Sequence, residues 1–183
     1  MLEITDEYII SLLREPKQQE RGFTLLMQRY QEQLYWHIRR MVNDHDDSND
    51  VVQNTFVKVF RGFHNFEEKS KLYTWLYRIA TNEALSFLQK KNQKMTSSID
   101  DSATNIVNQI QADSYFDGDE TQLLLKNAIA QLPDKQRLVF NMRYYEEMPY
   151  EEMSKILDTS VGGLKASFHH AVKKVENFVK YGK

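Results

Sequence analysis

Residues 150–178 read YEEMSKILDTSVGGLKASFHHAVKKVENF, and how this stretch folds back on itself sets the architecture of the rest. Met153, Ile156 and Leu157 recur at helical spacing, which predicts a short helix over about 150–157. Leu164, Phe168, Ala171, Val172 and Val175 predict a second over about 161–178. Between them, Asp158 to Ser160 leave room only for a tight turn. Asp158 falls where the turn calls for a left-handed residue, and Ser160 is placed to cap the second helix. Two helices joined so closely make a helix-turn-helix. Gly162 and Gly163 cost the second helix roughly 1 kcal/mol each relative to Ala, a loss that makes sense where backbone must approach a phosphate. The outward positions Lys165, Ser167, His169, His170 and Lys173 combine cations for phosphates with donors for base edges. A merely solvated charged helix is the alternative. The adjacent histidines are not a zinc signal, because helical neighbours diverge by about 100° and no cysteine completes a set.

Upstream, about 122–131 and 134–145 read as two more helices of the same module, so residues 122–183 form one small helical domain. The preceding stretch, TSSIDDSATNIVNQIQADSYFDGD (96–119), is polar, acidic and too poor in apolar residues for a packed element. Residues 95–121 are therefore expected to be a flexible acidic linker, and residues 1–94 a separate N-terminal domain. In that domain Phe23, Leu26, Met27, Tyr30, Leu34 and Ile38 mark one amphipathic helix. The run DHDDSND (44–50) ends it and caps the next, about 48–62, with Val51, Val52, Thr55, Phe56, Val59 and Phe60 expected inward. Asp50, Gln53, Asn54 and Lys58 are left for solvent or a partner. A third helix, about 71–92, carries Leu72, Trp75, Leu76, Ile79, Ala80, Phe87 and Leu88 as its core stripe, with Tyr73, Tyr77, Arg78 and Asn82 along one edge. Rings stack on unpaired bases and amides read their edges, so this edge suits single-stranded nucleic acid, although tyrosine and tryptophan at this spacing more often belong to a core.

Charge supports that reading. The formal net charge is only −2, yet residues 69–94 carry six cations against Glu83, residues 95–122 carry six acids and no cation, and residues 161–183 carry five lysines against Glu176. Two basic blocks flank an acidic one. Of the 183 residues only 6 are Gly and 3 Pro, which disfavours turn-dense β folds and leaves an all-α chain. The absence of cysteine excludes disulfides, thiolate metal sites and thiol nucleophiles. No Gly-rich phosphate loop, HExxH, GxSxG or EF-hand loop is present, and helix capping accounts for Asp46, Asp47 and Asp50 without a metal. The sequence thus points to a chain that is not an enzyme and uses no cofactor. Without an apolar run of roughly 20 residues or a signal-like leader, no membrane insertion and a cytoplasmic location are expected.

Three stretches carry a family resemblance: DDSNDVVQNTFVKVFRGFHNF (46–66), YTWLYRIATNEALSFL (73–88) and LPDKQRLVFNMRYYEEMPYEEMSKILDTSVGGLKASFHHAVKK (132–174). In this order, around an acidic linker, they resemble the bacterial extracytoplasmic-function (ECF) sigma factors, small two-domain initiation subunits of RNA polymerase. The resemblance implies that Asp50, Val52, Gln53 and Phe56 mark the helix that docks on core RNA polymerase, the Phe packing beneath the acid and amide. It implies that Phe66, Lys69, Ser70, Tyr73, Trp75, Arg78 and Asn82 help open the promoter −10 element, with Phe66 and Asn82 nearest an everted base of the non-template strand. The linker would thread toward the polymerase channel. Gly162, Lys165, Ser167, His169, His170 and Lys173 would read duplex DNA at −35, and a surface around Leu132, Val139 and Phe140 would seat on the polymerase flap. An anti-sigma factor is a candidate further partner. Many relatives carry several arginines on the recognition helix, where this chain has Ser167, His169 and His170, which leaves its −35 preference open. Two other readings stand beside this one: an autonomous dimeric helix-turn-helix repressor, and a helical adaptor that binds no DNA.

Overall fold

The computed structural model describes residues 4–96 and 120–182, and every regular element among them is helical. Thr5 opens α1 (Asp6–Arg14), its hydroxyl accepting from the Tyr8 N–H at 3.3 Å. Ile9, Leu12 and Leu13 pack this helix onto α2 (Gln19–Val42), and the Tyr30 hydroxyl and Arg29 guanidinium both hold Asp6. The sequence reading leaves this N-terminal segment without a boundary, because nine residues give too short a periodic run to stand alone. The crossing is close at Gly22, where a Cβ would lie 2.8 Å from the Leu13 amide nitrogen, so only glycine lets the two backbones approach.

Asn43 ends α2 in the left-handed conformation (φ 61°) with its N–H on the Arg39 carbonyl. Asp44 then caps α3 (His45–Gly62), accepting from the Asp47 N–H at 2.9 Å, and Lys91 reaches Asp47 at 2.7 Å to tie the following helix to this end. The acidic run works as a cap, as its composition suggests. A 3-10 turn over Phe63–Asn65 leads to α4 (Leu72–Thr96), and Leu26, Leu34, Ile38, Met41, Leu72 and Leu76 form the fully buried centre of the first module.

In the second module α5 (Glu120–Ala130), α6 (Asp134–Tyr144), α7 (Tyr150–Leu157) and α8 (Val161–Tyr181) follow the expected order. Buried Arg137 closes the α5–α6 turn by donating to the Ala130 carbonyl at 3.1 Å and to Asp134 at 2.8 Å. Ala128, Ile129, Leu132, Phe140, Ala171 and Val175 form a cluster between α5, α6 and α8. One expected surface changes here: Leu132, Val139 and Phe140 lie inside the protein rather than on a seating surface, with Phe140 covered by Phe168 of α8. Residues 97–119 of the expected linker lie outside the described residues, while α4 reaches Thr96 and α5 starts at Glu120.

The two modules meet. Leu138, Met142, Met148, Met153, Ile156 and Leu164 of the second belong to the same buried cluster as Leu72, Leu76 and Tyr77 of the first. Asn141 of α6 donates to the Arg40 carbonyl of α2 at 3.0 Å. Periodicity marks these residues as apolar faces but is silent about what lies across from them.

Candidate nucleic-acid interface

The turn before α8 has the geometry its sequence calls for. Asp158 adopts φ 49°, ψ 44°, and the Ser160 hydroxyl accepts from the Gly163 N–H at 3.1 Å. Leu164, Ala171 and Val175 turn inward, which leaves Lys165, His169, His170 and Lys173 exposed and Ser167 half-buried along the opposite side. The Lys165 ammonium lies 5.7 Å from the centre of the Tyr150 ring, and the His169 and His170 rings are 6.0 Å apart and splayed. Around Gly162 a Cβ would meet nothing within 4 Å. A capped helix start, open space beside its first amides and cations one turn on can accept a phosphate and present side chains to a groove.

The second surface lies along α4 and the loop before it. Phe66, placed by the sequence reading nearest an everted base, is only 6% exposed: its ring packs against Phe63 (5.9 Å) and Trp75 (5.1 Å between centroids). The loop bends inward there, so the ring faces meet core neighbours and none is left for a base. Trp75 is half-buried in the same cluster. Glu68, next in the loop, holds a left-handed φ of 56° and is tied to Arg14 of α1, and exposed Lys69 pairs with Glu67. Ser70 is half-buried and Asn82 exposed.

Farther along the same edge, the second module intervenes. Tyr77, expected beside the stripe, is 4% exposed, with its ring 4.3 Å from that of Tyr73 and 4.9 Å from that of His37. The Arg78 guanidinium donates to the Lys155 carbonyl on α7, and the Thr74 hydroxyl donates to Glu152 at 3.0 Å. His37, buried on α2, lies 3.0 Å from Glu146 through Nδ1 and 2.9 Å from Thr81 through Nε2. Burial, reinforced by the Glu146 charge, pushes the Tyr73 phenol up to about 12 and raises that of Tyr77 as well. Burial also acts to raise Glu152, but hydrogen bonds from Lys155 and Thr74 and the charges of Lys155 and Lys71 outweigh it, so its carboxyl sits below the usual value. Arg78 is exposed, and one of its guanidinium nitrogens is engaged by the Lys155 carbonyl in this conformation.

On α3, Asp50 and Gln53 are exposed, whereas Val52 and Phe56 are buried. Phe56 and Val52 both pack inward, as expected. Phe60, expected inward, is 48% exposed although its ring meets Phe23 edge-on at 5.2 Å, and Val57 is 46% exposed. These two add an apolar strip beside Asp50 and Gln53 that the sequence reading missed. The signal was available for Val57, a large apolar residue that falls off the helix's inward stripe.

A cleft of about 610 Å³ opens between α2 and α3 on one side and α5 and α6 on the other, with Trp36, Arg40, Tyr144 and Tyr145 at its mouth. Arg40 spans it, 5.0 Å from the Tyr145 ring centre and 3.7 Å from Glu146. Among the described residues no helix is long and apolar enough to cross a membrane.

Comparison with known proteins places these surfaces in context. Residues 26–94 match the family Sigma-70 region 2, and residues 122–175 match Sigma-70, region 4. The ECF RNA polymerase sigma-E factor of Escherichia coli K12 is 28% identical over 97% of this chain and 96% of its own length. That of Haemophilus influenzae is 26% identical over 97% of each. Among solved structures, the sigma factor RpoE of Bartonella quintana in complex with the anti-sigma factor NepR has a TM-score of 0.68 at 21% identity, covering 89% of this chain and 99% of its own. CnrH in complex with the cytosolic domain of CnrY has a TM-score of 0.68 at 17% identity, covering 97% and 99%.

Proposed function

Because the chain belongs to the ECF sigma factors, promoter-selecting subunits of bacterial RNA polymerase, we propose that its exposed surfaces divide the steps of initiation among themselves. The outer face of α3, with Asp50, Gln53, Val57 and Phe60, docks on core polymerase over the packed Val52 and Phe56. Lys69, Ser70, Tyr73, Arg78 and Asn82 on the loop and α4 engage the non-template strand at −10, with Phe66 and Trp75 as the packed floor that holds the loop in place. At −35 the start and outward side of α8 meet duplex DNA: Gly162 lets a phosphate approach, Lys165 and Lys173 hold phosphates, and Ser167, His169 and His170 face the groove. The boundaries 1–94, 95–121 and 122–183 serve as working limits of the two domains and their linker, and the site of action is the cytoplasm. An anti-sigma factor, the partner named for the Bartonella quintana neighbour, is a candidate occupant of the cleft beside Trp36 and Tyr145.

The observation that carries this reading is the order of surfaces along the chain: the region 2 match spans α3 and α4, and the region 4 match spans the turn and start of α8. A large machine is needed to use them together, since unstacking a base costs a few kcal/mol that two small modules can hardly offset alone. The test is run-off transcription from genomic fragments with core polymerase and the full chain. Specific transcripts are expected, lost when Asp50→Lys is combined with Gln53→Ala and reduced at −35-dependent promoters by Lys165→Ala with Ser167→Ala. Full core affinity in the first variant, or unchanged promoter binding in the second, would overturn the corresponding assignment.

A further inference from the structure

We propose that the cleft between α2 and the α5–α6 pair is a small-molecule site, built for a flat aromatic anion whose ring system carries an N–H donor. Its volume of about 610 Å³ is that of a ligand pocket, a class that runs from about 300 to 1,000 Å³. Leu125, Ile129 and Ala130 of α5 give it an apolar wall. At its mouth three rings stay largely in solvent, Trp36 at 46%, Tyr144 at 52% and Tyr145 at 41% exposed. They come from α2 and from the end of α6, so a flat ligand can meet rings of both, and covering them recovers apolar area together with stacking.

Charge sets the sign of the ligand. Arg39, Arg40 and Lys126 line the cleft, and among the described residues no carboxylate does. Glu146 faces Arg40 at 3.7 Å, beyond hydrogen-bond range. Burial, with Tyr144 beside it, raises the Tyr145 phenol, so that ring stays neutral at pH 7 and adds no negative charge. An unmet acceptor sets the donor. Asn141 belongs to the cleft lining and is 1% exposed. Its Nδ2 donates to the Arg40 carbonyl at 3.0 Å, which fixes the amide, because the flipped form would set oxygen against oxygen. Its Oδ1 is then buried with no hydrogen-bond partner, a cost that an N–H on the ligand's ring system removes. These features lie within the cleft, so the site stands whether or not a protein partner also docks at its mouth.

The probe is 6-anilinonaphthalene-2-sulfonate, which has flat rings, an N–H and a negative charge. Titrated calorimetrically into the full-length chain, it is expected to saturate at one per chain. N-phenyl-2-naphthylamine, the same rings and N–H without the sulfonate, should bind about tenfold more weakly, and 6-phenoxynaphthalene-2-sulfonate, with oxygen in place of the N–H, about fivefold. Trp36→Ala and Arg40→Gln should each weaken the probe about tenfold, whereas Tyr8→Ala, which removes a ring of like exposure on α1, should not. In Asn141→Leu the probe and its ether analogue should bind alike; if that variant melts early, the three compounds on the unaltered chain carry the same test. Binding that does not saturate, or an affinity unchanged in both Trp36→Ala and Arg40→Gln, overturns the site. Equal affinity for the neutral amine overturns its preference for an anion, and equal affinity for the ether overturns the Asn141 contact. Adenosine 5′-monophosphate, which carries an amino donor and a phosphate, then sorts the source of the ligand: displacement of the probe assigns the site to nucleotides, and probe binding without displacement assigns it to aromatic acids that lack a ribose.

Discussion

Replacing Gly162 by alanine separates helix stability from DNA contact at a single backbone position. Gly162 lies in the first turn of α8, and a Cβ built there meets nothing within 4 Å, so the methyl group has no steric cost. Alanine gains helix propensity of up to about 1 kcal/mol, which for a chain of this size raises Tm by roughly 2–4 °C. The neighbouring Gly163 supplies the control. Its Cβ would lie 3.2 Å from the Ser160 hydroxyl oxygen and 3.5 Å from a Thr159 methyl, and that hydroxyl is the cap. Gly163→Ala therefore gains propensity but disturbs a cap worth about 0.5–2 kcal/mol, with a net change near zero or unfavourable. The open space at Gly162 is also where a phosphate would approach the unpaired amides of the first turn. Gly162→Ala is accordingly expected to stabilise the free chain while weakening holoenzyme binding to a −35 duplex about tenfold, or about 1.4 kcal/mol. Thermal melts of the free chain and fluorescence anisotropy of the holoenzyme measure the two effects. A lower Tm would refute the geometry of the helix start, and a higher Tm with unchanged anisotropy would refute the phosphate role.

Three further outcomes follow from the same contacts. Phe66→Ala should cost about 3–5 kcal/mol in urea denaturation and Phe66→Leu under about 1.5, because the ring fills the Phe63–Trp75 cluster; near-neutral alanine would return Phe66 to the surface. Asp158→Gly should stabilise the second module by about 0.5–1 kcal/mol in thermal melts, since glycine takes φ 49° without the strain an L side chain meets, and no gain would place the turn elsewhere. Tyr73 titrates at about 12 in the folded chain against an ordinary 10.0, so the neutral phenol's contribution is complete below pH 10 and disappears as pH rises from 10 to 12. Alkaline unfolding followed by tyrosinate absorbance should be less steep in Tyr73→Phe, and an unchanged slope would remove Tyr73 from the buried junction.

The helix-turn-helix was legible because its signals are local. Met153, Ile156 and Leu164 carry the period, Asp158 the left-handed turn and Ser160 the cap, all within a few residues of one another. The cap of α3 at Asp44 was legible for the same reason. Phe66 and Phe60 were misplaced because an aromatic residue at a loop or helix edge satisfies either a core or a surface, and periodicity does not tell which neighbours arrive. Phe63 and Trp75 took Phe66 inward, whereas the Phe23 ring covers only part of Phe60. Leu132, Val139 and Phe140 read as an apolar surface until α8 is laid across α6.

By itself the sequence determined that the chain is helical, that its last helices form a helix-turn-helix and that its charges alternate in blocks, since propensity, capping and composition act within a turn or two. Only the tertiary structure decided that Arg78 meets Lys155, Thr74 meets Glu152 and His37 meets Glu146. Those pairs join residues far apart in the chain, and the free energy that brings them together comes from apolar faces buried against each other, whose pairing no local pattern encodes.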